Sequence, residues 1–100
     1  VDQQTAALIV EPVQGVAGAF DMPAGFLAAA REATRKAGAV LIFDEVQCGM
    51  GRTGRPFGAD YYGITPDIIT TAKGLAGGFP AGAVITTAEI AAGVKLGELG

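Results

Sequence analysis

A lysine and an aspartate stand just after apolar runs of the sequence, where a parallel sheet can place reactive side chains. Lys73 follows "DIITTA" and precedes the glycine-rich "GLAGG", and Asp44 follows "VLIF". Small neighbours would leave the Lys73 amine partly desolvated and nucleophilic toward a carbonyl carbon. For the lysine taken alone, the ordinary alternative is the better explanation: its stem packs on the strand while its amine reaches water.

Two acidic residues, Asp44 and Glu45, are adjacent in the sequence. Adjacent residues of a strand point to opposite faces, so the two carboxylates are not expected to serve one site. We interpret Glu45 as structural, paired with a loop arginine such as Arg52. Asp44 has an ordinary alternative as a cap or turn residue, but a carboxylate at the end of a buried strand is costly unless a positive group meets it.

The residue types that are missing limit the chemistry. There is no histidine, so a metal site is not expected, and Cys48 lacks the base that a nucleophilic thiol would need. The stretches "GMGRTG" and "GLAGGFPAG" lack the G-K-[ST] of a phosphate-binding P-loop. We therefore expect these glycines to allow close backbone packing around a site.

An amine and a carboxylate on neighbouring strands suit pyridoxal phosphate. This cofactor offers an aldehyde to Lys73 and a ring nitrogen that withdraws electrons while it is protonated. Asp44 would hold that proton, with an attraction of roughly 5 kcal/mol at about 3 Å and an effective dielectric near 20, before desolvation. Gln47 can then reach the ring hydroxyl, and Val46 can press on the ring face.

Four apolar runs must position these residues. Strands are predicted over residues 6–12, 39–46, 66–73 and 83–87. The first two lack polar alternation, which is typical of strands buried on both faces of a parallel sheet. Ligands of such sheets bind beyond the carboxyl ends of the strands, where Glu11, Asp44 and Lys73 stand. The fold class that we expect is α/β, with an open and mostly parallel sheet.

A helix is predicted over residues 23–38, between the first two strands, which makes a right-handed βαβ unit. Asp21 is expected to be its N-cap, and Gly38 its end. Its inner face is predicted to hold Phe26, Leu27, Ala30, Thr34 and Ala37, and its outer face Arg31, Glu32, Arg35 and Lys36. Residues 47–66 are expected to form a loop with one short helical turn, and residues 88–95 a weak helix.

Composition excludes several classes of protein. Half of the residues are hydrophobic and 16 are glycine, which excludes disorder. The net charge is −3 without a basic stripe, so no nucleic-acid partner is expected. No apolar run approaches the length of a membrane span. A single cysteine suits a reducing compartment, so we expect a cytoplasmic location. Because the chain lacks an initiating Met, we expect an internal fragment.

Two stretches together resemble the signature of the class III pyridoxal-phosphate aminotransferases, namely "LIFDEVQCGMGRTG" and "PDIITTAKGLAGGFP". This family of fold type I enzymes includes the acetylornithine, ornithine and 4-aminobutyrate aminotransferases. The resemblance extends from "AALIVEPVQG" to "KLGELG" and implies that residues 1–100 are part of the large, three-layer α/β/α cofactor-binding domain. It also implies a homodimer, in which a threonine just after the "GELG"-like stretch helps to hold the neighbouring subunit's cofactor phosphate.

The resemblance implies a role for each matching residue. Lys73 would form the Schiff base with the cofactor and move the proton. Asp44 would pair with the pyridine nitrogen, Val46 would pack on the ring, and Gln47 would contact its 3-hydroxyl. Glu11 would line the substrate pocket. The implied reaction is a ping-pong transfer of an amino group from a donor such as N-acetylornithine or ornithine to 2-oxoglutarate.

Two residues depart from the family pattern. Val16 stands where many members with ω-amine substrates have a glutamate, and Cys48 replaces a common threonine. The amino donor therefore stays open. One alternative is another class III enzyme, such as 4-aminobutyrate aminotransferase, glutamate-1-semialdehyde aminomutase or a decarboxylase. The other is a non-catalytic fragment that does not bind the cofactor well by itself.

Overall fold

The computed structural model describes residues 1–23 and 25–94. The strands of this part are β1 (Ala7–Val10), β2 (Val13–Gln14), β3 (Phe20–Asp21), β4 (Val40–Asp44), β5 (Ile68–Thr71) and β6 (Ala83–Thr86). The helices are α1 (Phe26–Ala37), α2 (Gly58–Tyr62) and α3 (Ala88–Ala91), and a 3₁₀ turn spans Lys73–Ala76. Residue 24 and residues 95–100, which include the "GELG" stretch, lie outside the described residues.

The central sheet has the strand order β1-β4-β5-β6. β4 runs parallel to β1 and to β5, and β6 runs antiparallel to β5. The predicted α/β class with a mostly parallel sheet is confirmed. The short antiparallel pair of β2 and β3 was not predicted.

The core lies between α1 and one face of the sheet. Leu41 and Phe43 of β4 are fully buried, and they cluster with Leu27 and Ala30 of α1 and with Ala59. Each large apolar side chain buried in this way contributes about 1.5–3 kcal/mol. Because strand side chains alternate between faces, Asp44 at the end of β4 belongs to the face opposite α1.

The opposite face is more open than predicted. Ala7 and Ile9 of β1 are exposed, Ile9 to 61%, and β6 is exposed along its whole length. The prediction that the first strand is buried on both faces is therefore wrong in the described part of the chain, because α1 packs against one face of β1.

Helix α1 ends as predicted but begins differently. Gly38 ends it in the left-handed region with φ 71°, and basic residues occupy its last turn. Its N-cap is Gly25, which makes no side-chain cap. The predicted N-cap Asp21 instead lies in β3 and accepts a hydrogen bond of 3.2 Å from the Tyr62 hydroxyl. Pairing between β2 and β3 removes Asp21 from the helix.

Arg31 was predicted to lie on the outer face of the helix, and this is wrong. Its side chain is 11% exposed and forms an ion pair of 2.9 Å with Asp67, which immediately precedes β5. Asp67 also accepts a hydrogen bond of 2.8 Å from the Leu41 N–H. Burial by itself would raise the pKa of Asp67, but these donors outweigh it and hold the pKa below its ordinary value. Arg31 and Asp67 therefore join α1 to the sheet.

None of the helices within residues 1–23 and 25–94 combines the length and the apolar character that crossing a membrane requires.

Candidate active site

Asp44 is the last residue of β4 and is paired in register with Thr70 of β5. Its Oδ1 accepts two hydrogen bonds of 3.1 Å, from the Val46 N–H and from the Thr70 hydroxyl. The first of these bonds turns the chain as it leaves the strand, as aspartate side chains commonly do. Asp44 is thus held by one local donor and one donor from the neighbouring strand.

Lys73 begins the 3₁₀ turn that follows β5. Its φ is 49°, in the left-handed region that non-glycine residues seldom adopt. The side chain is exposed in the described part of the chain. This exposure agrees with the ordinary alternative, an amine that reaches water, because the following glycines bring no side chains to cover it.

A cavity of about 720 Å³ brings several of the predicted residues together. Val46, Gln47 and Lys73 line it, with glycines of the loop that follows β4. Asp44 and Glu11 are not among its lining residues. Asp44 is connected to the cavity through Val46, because the Asp44 carboxylate accepts a hydrogen bond from the Val46 N–H. A second cavity, of about 480 Å³, is lined by none of the predicted residues.

Backbone strain is concentrated at the larger cavity. In the described part of the chain, the non-glycine residues with positive φ are Ala19, Met50 and Lys73, and all three line this cavity. A left-handed conformation costs roughly 1–2 kcal/mol for such residues. Strained residues cluster at functional sites, where the surrounding structure imposes the geometry. This observation supports the larger cavity as the candidate active site, and no sequence pattern indicated Ala19 or Met50.

Glu11 lies next to the cavity but acts through the backbone. Its carboxylate accepts a hydrogen bond of 3.0 Å from the Gly15 N–H, and Gly15 lines the cavity. Gly15 in turn lies against the side-chain amide of Gln47. The contacts of Glu11 therefore fix the loop on which Gln47 rests.

Glu45 is fully buried. Its carboxylate accepts hydrogen bonds from the Gly58 N–H and, at 3.1 Å, from the Ala59 N–H at the start of α2. The predicted ion pair with Arg52 is wrong, because these backbone donors take its place and Arg52 lines the cavity instead. Burial raises the pKa of Glu45, and the two N–H donors oppose the shift in part.

Cys48 is buried, and its sulfur lies 3.9 Å from Oε1 of Glu45. Burial raises the pKa of the thiol, and the nearby carboxylate adds to the shift. A neutral, buried thiol is a poor nucleophile. This environment agrees with the expectation that Cys48 is not a nucleophile.

Sequence reasoning missed Thr70 and Thr53. Thr70 binds Asp44, but only the register of β4 and β5 reveals the contact. Thr53 lines the cavity, and its buried hydroxyl has no hydrogen-bond partner among the described residues. A buried hydroxyl without a partner is costly, so this atom is available to a bound ligand.

The known proteins that this chain resembles are aminotransferases. The family model Aminotransferase class-III matches residues 1–100. The acetylornithine aminotransferase of Rhodobacter capsulatus is 48% identical over 100 residues, which cover 100% of this chain and 25% of that protein. The chain thus spans about a quarter of the length of this relative.

Solved structures show the same arrangement of elements. An ornithine aminotransferase from Plasmodium yoelii has a TM-score of 0.88 at 37% identity, over 94% of this chain and 25% of that chain. A thermostable (S)-enantioselective omega-transaminase from Thermomicrobium roseum has a TM-score of 0.81 at 48% identity, over 86% of this chain and 20% of that chain. Because the family model covers every residue, the chain belongs to the class III aminotransferase family.

Proposed function

We propose that the complete protein is a pyridoxal-phosphate-dependent aminotransferase. It would transfer an amino group from a donor such as N-acetylornithine or ornithine to 2-oxoglutarate by a ping-pong mechanism. The family match supports the reaction class, and the names of the relatives support the donors. The observation that carries the proposal is that Lys73 lines one strained cavity together with Val46 and Gln47.

The residues at this cavity fit pyridoxal phosphate. The exposed Lys73 side chain can reach an aldehyde, Gln47 offers an amide, and Thr53 has a hydroxyl without a partner. When bound, the cofactor supplies an aldehyde carbon and a ring that withdraws electrons from the substrate carbon.

Each residue of the chain then has a separate task. The Nζ of Lys73 would hold the cofactor covalently and would afterwards carry a proton as general base and acid. The carboxylate of Asp44 would hold a proton at the ring nitrogen, kept oriented by its two hydrogen-bond donors. Val46 would orient the ring by packing, and Gln47 would bind the ring hydroxyl.

We also propose that residues 1–100 form part of the large cofactor-binding domain of a cytoplasmic homodimer. The share of the relatives' length that the chain spans supports the first part. The family resemblance supports the dimer, and the single cysteine supports the compartment. The partners would be small amino acids and 2-oxo acids.

A second candidate donor class is simple amines that carry no carboxylate. It is supported by 48% identity to the omega-transaminase from Thermomicrobium roseum, which equals the identity to the acetylornithine aminotransferase of Rhodobacter capsulatus. Val16, which is exposed beside the candidate site, carries no charge that would select a donor. The two candidates share the same residues and differ in substrate alone.

A donor screen on the complete protein tests these proposals. N-acetylornithine, ornithine, 4-aminobutyrate and a simple chiral amine are mixed singly with the pyridoxal-phosphate-loaded protein, and its visible absorption is followed. We expect one of the first two donors to change the spectrum fastest and to yield glutamate once 2-oxoglutarate is added. A response to the chiral amine alone would favour the second candidate. Turnover by Lys73→Ala would overturn both.

A further inference from the structure

The side chains of Asp44 and Thr70 meet across two neighbouring strands. β4 and β5 are parallel, and their register sets the two residues opposite each other at the carboxyl end of the sheet. Both residues are half-buried, and the Thr70 hydroxyl donates a 3.1 Å hydrogen bond to Asp44 Oδ1. The bond therefore links the strand that ends at Asp44 to the strand that leads into Lys73.

The two oxygens of Asp44 have different environments. Oδ1 accepts hydrogen bonds from the Thr70 hydroxyl and from the Val46 N–H, both of 3.1 Å. Oδ2 has no hydrogen-bond partner among the described residues. A carboxylate can accept about four hydrogen bonds, and the two donors here converge on a single oxygen. One oxygen is thus anchored while the other remains free to accept from a ligand.

Thr71 provides an internal comparison. It is the next residue of β5, it is 2% exposed, and its hydroxyl has no hydrogen-bond partner among the described residues. Successive strand residues point to opposite faces, so Thr71 faces away from Asp44. Both threonines belong to β5 and carry the same hydroxyl group. Only the hydroxyl of Thr70 donates a hydrogen bond to Asp44.

We propose that Thr70 is a positioning residue that anchors Oδ1 of Asp44, so that Oδ2 is the atom presented to the ring nitrogen of the cofactor. This inference rests on the proposed function and deepens it. Without the Thr70 hydroxyl, the carboxylate keeps the Val46 N–H but loses the donor from the neighbouring strand. It is then free to rotate, and the proton at the ring nitrogen is held less firmly.

The test uses the complete protein loaded with pyridoxal phosphate labelled with ¹⁵N in the ring. The ¹⁵N chemical shift reports whether the ring nitrogen is protonated, which an unrelated loss of stability would not change. Thr70→Val removes the hydroxyl and keeps the branched shape, whereas Thr70→Ser keeps the hydroxyl. Thr71→Val is the matched control, and Asp44→Ala is the reference for complete loss. If Thr70→Val does not fold, Thr70→Ala removes the same donor.

We expect Thr70→Val to move the ring-nitrogen signal toward that of Asp44→Ala and to lower kcat roughly tenfold, the effect of one lost hydrogen bond to a charged group. Thr70→Ser and Thr71→Val should retain the original signal. The inference is overturned if Thr70→Val keeps the original signal while Asp44→Ala changes it, or if Thr70→Ser behaves like Thr70→Val. If Asp44→Ala also leaves the signal unchanged, the role of Asp44 in the proposed function fails as well.

Discussion

Gly15 lies so close to the side chain of Gln47 that a Cβ at residue 15 would be 2.5 Å from Gln47 Oε1. The N–H of Gly15 is held by the carboxylate of Glu11 at 3.0 Å, so the backbone cannot withdraw without losing that bond. A glycine at this position therefore leaves room for the amide that is proposed to bind the cofactor ring.

Gly15→Ala is expected to displace the Gln47 amide and to weaken binding of pyridoxal phosphate to the complete protein. The loss of one hydrogen bond from the displaced amide to the cofactor costs about 1 kcal/mol, which corresponds to a roughly fivefold higher dissociation constant. Fluorescence titration of the apoprotein with the cofactor measures it. Gly82→Ala is the control, because its Cβ would meet its nearest neighbour, the Thr71 carbonyl oxygen, at an ordinary 3.6 Å.

A double variant shows whether Gly15→Ala weakens cofactor binding through Gln47 or through another part of the cavity. If Gly15→Ala acts through Gln47, adding it to Gln47→Ala should have little further effect on the dissociation constant. Fully additive losses would mean that residue 15 acts on the cavity by another route.

Asp44→Asn is expected to reduce transamination by roughly 100-fold or more, since it removes the charge that the ring nitrogen requires. Asparagine keeps a side-chain oxygen for the Thr70 and Val46 donors, so the fold should be retained. Steady-state kinetics, with cofactor content measured on the same sample, checks the prediction. Turnover near that of the unchanged protein would remove Asp44 from its proposed role.

The decrease in the free energy of unfolding at acidic pH should depend on Asp67. Its pKa is below the ordinary value of 3.8, so its stabilising contribution is present above that pH and is lost as the pH falls through the lowered pKa. We therefore expect Asp67→Asn to lower the free energy of unfolding by about 1–3 kcal/mol at neutral pH. The difference from the unchanged protein should shrink in acid. Urea unfolding of both proteins at several pH values measures it, and a difference independent of pH would contradict the assignment.

The contribution of Glu45 to the free energy of unfolding should have the opposite pH dependence. Its pKa is raised above the ordinary value of 4.5, so its favourable contribution is present below that pH and is lost as the pH rises through the raised pKa. The stability advantage of the unchanged protein over Glu45→Gln should therefore decline as the pH rises. The same unfolding series measures this, and an advantage that grows with pH would show that the buried carboxylate is stabilised rather than penalised by its surroundings.

The elements that position the site could be predicted because their signals are local. The apolar run before Asp44 predicts a strand, and Gly38 marks the end of the helix by its own conformational freedom. The prediction of the N-cap of α1 was wrong for a different reason. Asp21 is drawn into β3 by pairing with β2, and no local pattern shows that pairing.

The details of the site depend on contacts between distant residues. The Glu45 carboxylate binds the backbone N–H groups of Gly58 and Ala59, which any residue type can supply, so the sequence pointed to an arginine instead. The bond from Thr70 to Asp44 requires the register of two strands. The positive φ of Met50 is imposed by the surrounding loop, and methionine has no preference that reveals it.

The most direct test of the proposed function is to identify the residue that forms a covalent bond with the cofactor. The complete protein, loaded with pyridoxal phosphate, is treated with borohydride to trap the bond covalently, then digested and analysed by mass spectrometry. We expect the peptide containing Lys73 to carry the added cofactor mass and Lys73→Ala to abolish the label. A label of full stoichiometry on any other lysine, Lys36 included, would contradict this expectation.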